Sequence, residues 1–199
     1  MTRALTAALV GLAAIAWAVS APAFDAAATF QKGSLVISPE AGYGQQFALQ
    51  HWHDFTGLEL ANVGVRVGWL PFRPVGPGPL HGSLEVGLEP LYQRYVDPVD
   101  AFFAGLGAVL RYHVITLGRV VPYVEVGGFA GGTDLKTAEI RSDFTFLVFG
   151  GVGAAFFVGD RTAIYGGYRL QHVSNGNTQQ PNRGFESHTG VVGVSFFFQ

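Results

Sequence analysis

The chain has 199 residues, a formal net charge of -2 and no cysteine. This length suits a single domain, the near-neutral charge offers no basic surface for nucleic acid, and the fold cannot rely on disulfide bonds. Only 13% of the residues are charged although 49% are hydrophobic, whereas soluble domains carry about 25% charged residues. The composition therefore favours a protein whose apolar surface faces lipid.

The N-terminus has the features of an export signal. Arg3 precedes an apolar run that ends at Val19, and Ala21-Pro22-Ala23 forms a small-x-small cleavage site. The run is shorter than the roughly 20 residues that a membrane-spanning helix needs. We therefore predict a signal peptide over residues 1–23 and one mature domain over residues 24–199.

After this signal the chain has no apolar run long enough for a membrane helix. A mature protein that sits in a membrane must then be a closed β-barrel, because lipid cannot satisfy the unpaired backbone groups of an open sheet edge.

Segments rich in Val, Leu, Phe, Tyr and Gly follow one another from Gly33 onward, and turn-forming residues separate them. Each segment has a period of two, which is typical of β-strands. We predict an all-β fold, an eight-stranded antiparallel up-and-down transmembrane β-barrel. The eight segments are approximately Gly33–Gly44, Gly57–Leu70, Leu80–Tyr95, Phe102–Ile115, Val120–Ala130, Phe144–Val158, Ala163–Ser174 and Glu186–Phe198.

Charged side chains fall on one parity of these segments and apolar side chains on the other. In the third segment, for example, Glu85 and Glu89 alternate with Val86 and Leu88. Side chains fill the interior of a small barrel, and in a transmembrane barrel the polar parity points inward. Because unpaired buried charges would be prohibitive, we predict an internal salt-bridged core. Its members are Glu40, Arg66, Glu85, Glu89, Arg111, Glu125 and Arg169.

The connections between the segments alternate in length. Transmembrane barrels carry short periplasmic turns and longer outer loops, so the alternation predicts that both termini face the periplasm. The short turns are Leu117-Gly118-Arg119 and Gly159-Asp160-Arg161, and the long loops are Gln45–Thr56, Gly131–Asp143 and Asn175–Phe185. Two connections depart from this alternation: the proline- and glycine-rich Phe72–Pro79 is a longer periplasmic turn, and Val96–Asp100 is a short outer loop.

Three residue types used in acyl transfer lie near the C-terminus. His172 and Ser174 share the apolar parity of the seventh segment, and Glu186 shares that of the eighth. An antiparallel hairpin could place Glu186 opposite Ser174 or diagonal to His172, within about 5–8 Å. Serine becomes a nucleophile when a neighbouring base takes its proton and a third group orients that base. We therefore predict Ser174 as nucleophile, His172 as base and Glu186 as its partner, on the lipid-facing surface.

A simpler interpretation makes these residues part of a polar rim. His172 and Ser174 would then end a strand, Asn175-Gly176 and Pro181-Asn182 would form turns, and Glu186 would lie among the lipid headgroups. Polar groups on a lipid-facing surface are costly unless they have a task, so their convergence favours an active site.

The same stretch resembles a known family signature. The matching residues are His172-Val173-Ser174-Asn175, Pro181-Asn182, Gly184 and Glu186, and they resemble the C-terminal signature of the PagL family of outer-membrane lipid A 3-O-deacylases. The resemblance implies a serine esterase without a cofactor that removes the hydroxyacyl chain at position 3 of lipid A. It also implies the roles given above for His172, Ser174 and Glu186.

The oxyanion donors are less closely defined. The resemblance implies that Asn182 and Asn175 support the oxyanion, and a backbone N–H in the Gly176-Asn177 turn could also contribute. The family often has a small residue followed by glycine at this turn, whereas here glycine precedes asparagine. If the backbone amide at the second position helps to stabilise the oxyanion, Asn177 must adopt the backbone shape that this requires, which asparagine tolerates better than most residues.

Other histidines and aromatic residues receive weaker assignments. His51 and His53 are more typical of interfacial polar residues than of a metal pair, and we predict no metal site. His188 shares the face of Glu186 and is a candidate either to support the triad residues or to contact the substrate. An interfacial aromatic belt would include Trp52, Trp69, Tyr92 and Tyr95.

These patterns lead to one main function and two rivals. The main hypothesis is a lipid A deacylase that acts on lipopolysaccharide in the bacterial outer membrane. The rivals are a phospholipase with the same triad and a non-enzymatic structural or adhesion barrel. The predicted partners are lipopolysaccharide and outer-membrane lipid, and a homodimer is left open.

Overall fold

The computed structural model describes residues 24–48 and 56–199. Eight antiparallel strands pair in chain order, and the last pairs with the first, so the sheet closes into a barrel. This confirms the predicted architecture. The strands are β1 (Leu35–Phe47), β2 (Glu59–Trp69), β3 (Gly82–Asp97), β4 (Ala101–Val114), β5 (Val120–Thr133), β6 (Phe144–Gly159), β7 (Thr162–Ser174) and β8 (Phe185–Phe198).

Two short helical elements were not predicted from the sequence. Helix α1 (Ala26–Thr29) precedes β1, and a 3-10 turn (Gly78–Leu80) lies between β2 and β3. Within the described residues, no helix has both the length and the hydropathy to cross a membrane. The predicted signal peptide and the His51-Trp52-His53 stretch lie outside the described residues.

The two ends of the barrel differ in their connections. The loop end carries residues 98–100, 134–143 and 175–184 and the connection from β1 to β2. The terminal end carries residues 70–81, 115–119 and 160–161, together with α1 and the C-terminus. The alternation of connections agrees with the sequence, including the proline- and glycine-rich 70–81 segment among otherwise short turns.

Buried and exposed side chains alternate along each strand, as the pleat of a strand requires. In β3, Glu85 and Glu89 are buried, whereas Leu88 is 59% exposed on the outside. Outward positions of the other strands are also largely aliphatic, as Val126 and Val192 illustrate. The barrel thus has an apolar outer face, and all the predicted charged core residues point inward.

Arg66 forms one half of the internal ion network. Its Nε lies 2.9 Å from Glu85 Oε1, and its Nη1 lies 3.4 Å from Glu89 Oε2. The second carboxylate oxygen of Glu85 lies 2.8 Å from His113 Nε2. His113 therefore belongs to the network although the sequence had not assigned it there.

Glu125 joins the other half. Its Oε2 accepts a hydrogen bond from Arg111 Nη2 at 2.8 Å, and its Oε1 accepts one from Arg169 Nε at 2.7 Å. Arg169 also pairs with Glu40, which accepts a hydrogen bond from the Tyr165 hydroxyl at 2.9 Å. The predicted salt-bridged core is confirmed, with Tyr165 as a further member.

The interior is not polar throughout, which corrects the expectation of a polar inner face. Apolar clusters fill the bore above and below the ion network. These layers exclude water from the charged layer, and a lower local dielectric strengthens each ion pair. The loop-end cluster includes Leu60, Phe103, Phe129 and Phe185, and the terminal-end cluster includes Phe30, Phe157 and Phe197.

The prediction of an interfacial aromatic belt is wrong for one residue, Tyr95. Trp69 and Tyr92 are 47% and 43% exposed on the outer face, but Tyr95 is only 1% exposed and belongs to the loop-end cluster. Tyr95 points inward because it lies three positions after Tyr92, and an odd spacing reverses the side of a strand.

Removal of one arginine from the ion network should strongly destabilise the barrel. Arg169→Met removes the buried cation that pairs with Glu40 and with one carboxylate oxygen of Glu125. We expect a loss of about 3–5 kcal/mol in the free energy of unfolding. Arg94→Met removes an exposed pair with Asp100 and should leave the free energy of unfolding nearly unchanged. Urea unfolding in lipid vesicles, followed by tryptophan fluorescence, measures both; equal losses would contradict the role of the network.

Candidate active site

His172 and Glu186 face each other across the β7–β8 hairpin. They are direct register partners, and both side chains lie on the outer face. His172 Nδ1 is 3.1 Å from Glu186 Oε1, and the two side chains are 42% and 30% exposed. The sequence had allowed Glu186 to lie opposite Ser174 instead; the observed register places the carboxylate against the imidazole. With Glu186 ionised, Nδ1 donates the hydrogen bond and Nε2 remains available as a base.

Ser174 lies on the same face as His172, two residues closer to the loop end. Its register partner is Phe146 of β6, and its side chain is half-buried. Within the described part of the chain, Ser174 Oγ makes no hydrogen bond. The hydrogen bond between a catalytic nucleophile and its base is often long or poorly aligned until substrate is bound. The structure thus brings together the pair of His172 and Glu186 directly and places Ser174 next to it.

Gly184 packs against the imidazole of His172. Its φ is +67°, and a Cβ at this position would lie 2.7 Å from the Val173 carbonyl oxygen and 3.0 Å from His172 Cε1. A side chain here would strain the backbone and push against the ring. Glycine at position 184 therefore allows the chain to approach the imidazole closely.

The turn after Ser174 has two consecutive residues with a left-handed backbone. Gly176 has φ +63° and Asn177 has φ +62°, and Asn177 is the only non-glycine residue with positive φ among those described. Thr178 N donates to the Asn175 carbonyl at 3.3 Å and closes the turn. Asn177 thus has a left-handed backbone, which asparagine tolerates better than most residues.

The three asparagines of this loop have different partners. Asn175 is fully buried, and its Nδ2 donates to the Gln179 carbonyl at 2.9 Å. Asn182 Oδ1 accepts from Asn175 N at 2.9 Å, and Asn182 Nδ2 donates to Asn177 Oδ1 at 3.2 Å. The side chain of Asn175 therefore secures the loop from inside, and Asn182 connects the beginning of the loop to its end.

An apolar groove runs over the outer face from the site towards β3. It has a volume of about 450 Å³ and a floor of small residues that includes Ala108, Gly128 and Ala130. Phe146 and Val148 form its wall nearest the site. They are the direct register partners of Ser174 and His172, so the groove begins one strand away from these side chains.

The groove follows two cross-strand rows of the sheet. One row runs Leu88, Ala108, Gly128, Val148, His172 and Glu186, and the other runs Leu106, Ala130, Phe146 and Ser174. Adjacent strands are about 4.8 Å apart, so a groove that crosses several strands is elongated. It begins beside the side chains of His172 and Ser174. Sequence reasoning missed it, although small residues on the outward parity of β4 and β5 are visible in the sequence.

His188 lies apart from the His172–Glu186 pair. It is exposed on the outer face, and its ring centroid is 5.7 Å from that of Phe47 and 6.3 Å from that of Tyr168.

In the described residues, no group of three or more His, Cys, Asp or Glu side chains is arranged to hold a metal ion.

Solved structures with the same fold include proteins of different kinds. The outer membrane enzyme PagL superposes with a TM-score of 0.58 at 17% sequence identity, covering 79% of this chain and 97% of that one. Neisserial surface protein A superposes with a TM-score of 0.59 at 16% identity, covering 84% of this chain and 100% of that one. At these identities the similarity establishes the barrel fold and no more.

The sequence itself places the chain in a family. No functionally curated protein matches it significantly. A family model described as lipid A 3-O-deacylase (PagL) matches residues 61–195, which is more than half of the chain. This match includes β3 to β7, the 175–184 loop and most of β8, where His172, Ser174 and Glu186 lie. The chain belongs to the PagL family of lipid A deacylases.

Proposed function

We propose that the protein is a serine esterase of the outer membrane that removes the 3-O-linked hydroxyacyl chain from lipid A. The observation that carries the proposal is the hydrogen-bonded pair of His172 and Glu186 beside Ser174 on the outward face. A substrate in the surrounding lipid reaches these groups sideways, without entering the barrel. The family match supports lipid A as the substrate class.

Ester cleavage at this site proceeds in two stages. Ser174 Oγ attacks the ester carbonyl carbon while its proton passes to His172 Nε2, and Glu186 stabilises the resulting imidazolium. The tetrahedral intermediate then expels the sugar oxygen, which takes the proton from His172. Water hydrolyses the acyl-serine with His172 again as base, so the products are a free hydroxyacid and a sugar hydroxyl.

The negative charge on the intermediate needs hydrogen-bond donors in place. Asn182 Nδ2 and the backbone N–H groups of the Gly176-Asn177 turn are the donors that we propose. The left-handed backbone of Asn177 supports this role. Asn175 supports the oxyanion indirectly, because its side-chain amide is fully buried and donates to the Gln179 carbonyl. Asn182 is less buried, and its Nδ2 has a second hydrogen besides the one that it donates to Asn177 Oδ1.

The groove is the proposed binding site for the acyl chain that is cleaved. It starts beside Phe146 and Val148, and its lining is apolar. A water-soluble ester has no apolar chain to place in this groove, whereas a lipid acyl chain can pack along its apolar lining. The groove therefore favours a lipid substrate, and the family match favours lipid A over a glycerophospholipid.

The proposed setting agrees with the surface of the barrel. Its outer face is largely apolar and its ion network is internal, as in barrels that span the outer membrane. The signal peptide that we propose over residues 1–23 would direct the chain to that membrane, and the long loops would then face outward.

Substitution of the nucleophile should abolish deacylation without loss of the fold. When wild-type protein and Ser174→Ala are produced in a Gram-negative host, we expect only the wild type to remove one hydroxyacyl chain, with a loss on the order of 10⁴-fold or more in the variant. Glu186→Ala should be less severe, because the third member of a triad orients the base and does not react. Mass spectrometry of lipid A and phospholipids provides the measurement.

The same spectra separate the rival functions. Lyso-phospholipid formed only with the wild type would identify a phospholipase. Unchanged lipids in the presence of folded wild-type barrel would contradict both enzyme hypotheses and leave the non-enzymatic one. Unchanged turnover in Glu186→Ala would remove Glu186 from the triad.

A bulky residue in the groove should lower kcat/KM for substrates with long acyl chains. A Cβ at Gly128 meets only Val148 Cγ1 at 3.9 Å, so Gly128→Phe can fold while its ring fills the channel. We expect kcat/KM on lipid A to fall by about tenfold or more, the scale of discrimination in apolar pockets. The matched control is Gly166→Phe, an outward position on β7 away from the loop end where a Cβ meets only the Val191 carbonyl oxygen at 3.7 Å. Equal activity of the two variants would contradict this use of the groove.

A further inference from the structure

Glu139 is a buried carboxylate in the loop between β5 and β6. Its side chain reaches the end of β1 and the connection that follows it. Oε1 accepts hydrogen bonds from Thr56 N at 2.7 Å, in the β1–β2 connection, and from Gln46 Nε2 at 3.0 Å, in β1. Its Oε2 accepts one from Thr56 Oγ1 at 2.5 Å. A carboxylate that is only 5% exposed and has three donors is a fixed element of the loop end.

The main chain of the same loop holds the segment that precedes β8. The Glu139 carbonyl accepts from Arg183 N at 2.8 Å and from Gly184 N at 3.3 Å. An isolated β-bridge joins Ile140 to Asn182, and Arg141 N donates to the Pro181 carbonyl at 3.2 Å. Residues 181–184, which we call the strap, are thus bound as a short strand to residues 139–141.

The strap is in contact with the reacting groups. Gly184 packs against the imidazole of His172, and Asn182 holds Asn175 N and Asn177. A displacement of the strap would therefore move the imidazole and the turn after Ser174 together. An error of about 1 Å in such a constellation can cost about 100-fold in rate.

We propose that Glu139 is a positioning residue for ester cleavage, which anchors the strap to the β1–β2 connection and through Gly184 sets the position of the His172 imidazole. The inference rests on the proposed function, since the role of His172 is part of that proposal. Glu139 itself does not touch the reacting atoms.

The electrostatics of Glu139 agree with a permanent anchor. Burial alone would raise the pKa of this carboxyl, but the hydrogen bonds from Thr56 and Gln46 outweigh burial and hold the pKa below its usual range. The charged form, which accepts all three hydrogen bonds, is accordingly the stable one near neutral pH.

The test compares Glu139→Ala, Glu139→Gln and Asp143→Ala in purified, folded protein with lipid A in mixed micelles. We expect Glu139→Ala to lower kcat by about 10- to 100-fold with little change in KM, because a misplaced base slows the chemical step. Glu139→Gln should recover most of the rate, since its carbonyl can still accept from Thr56 N and Gln46, and its amide can donate to the Thr56 hydroxyl. Asp143→Ala, which removes an exposed pair with Lys136 in the same loop, should stay within about twofold of wild type.

A second measurement does not depend on activity. The NMR resonance of His172 Cε1–H, assigned by comparison with His172→Asn, should shift in Glu139→Ala and remain in place in Asp143→Ala. Trypsin should cleave faster after Arg183 in Glu139→Ala, because the backbone bonds of the strap are weakened. If Glu139→Ala does not fold, Thr56→Val removes the hydroxyl donor to Glu139 Oε2 and leaves the Thr56 N–H donor in place, so it should produce the same changes to a smaller extent.

The outcomes are separable. An unshifted His172 resonance, a change confined to KM, or a failure of Glu139→Gln to recover the rate would overturn the positioning role. A wild type that leaves lipid A intact would overturn the proposed function, while the resonance and the proteolysis would still report whether Glu139 sets the imidazole.

Discussion

The buried ion network is the interaction on which the rest of the barrel depends. Because side chains alternate with a period of two, a slip of one residue in any strand would move its charges to the outside and its apolar residues to the bore. Arg66, Glu125 and Arg169 have partners on several strands, so their pairing penalises such slips throughout the closed sheet. The same register sets His172 opposite Glu186 on the outer face. Internal charge pairing and the external site are two consequences of one alignment.

Much of this arrangement could be predicted from the sequence because period two leaves a direct signal. The parity of Glu85 and Glu89, or of His172 and Ser174, is enough to assign a side of the sheet. Depth along the bore leaves no such signal: Phe103 shares its parity with Arg111, yet one lies in the loop-end cluster and the other in the ion network. The sequence also left open whether Glu186 lies directly opposite His172, because that register depends on the shape of the 175–184 loop.

Contacts between loops were beyond prediction for a related reason. Glu139 meets Thr56 and Arg183, which are distant in sequence and lie in connections without periodicity. Only the closed barrel brings these connections together at one end. The fold is shared by an enzyme and by a surface protein at nearly equal similarity, so function in this architecture belongs to side chains and loops added to a common scaffold.

The filled bore has a consequence for the cell. Three layers of side chains, apolar, charged and apolar, cross the described barrel from one end to the other, with α1 and Phe30 contributing at the terminal end. A wide porin of the same sheet type conducts solutes, whereas these layers obstruct a continuous column of water. In the membrane that we propose, many copies could accumulate without making the envelope leaky to small toxic molecules.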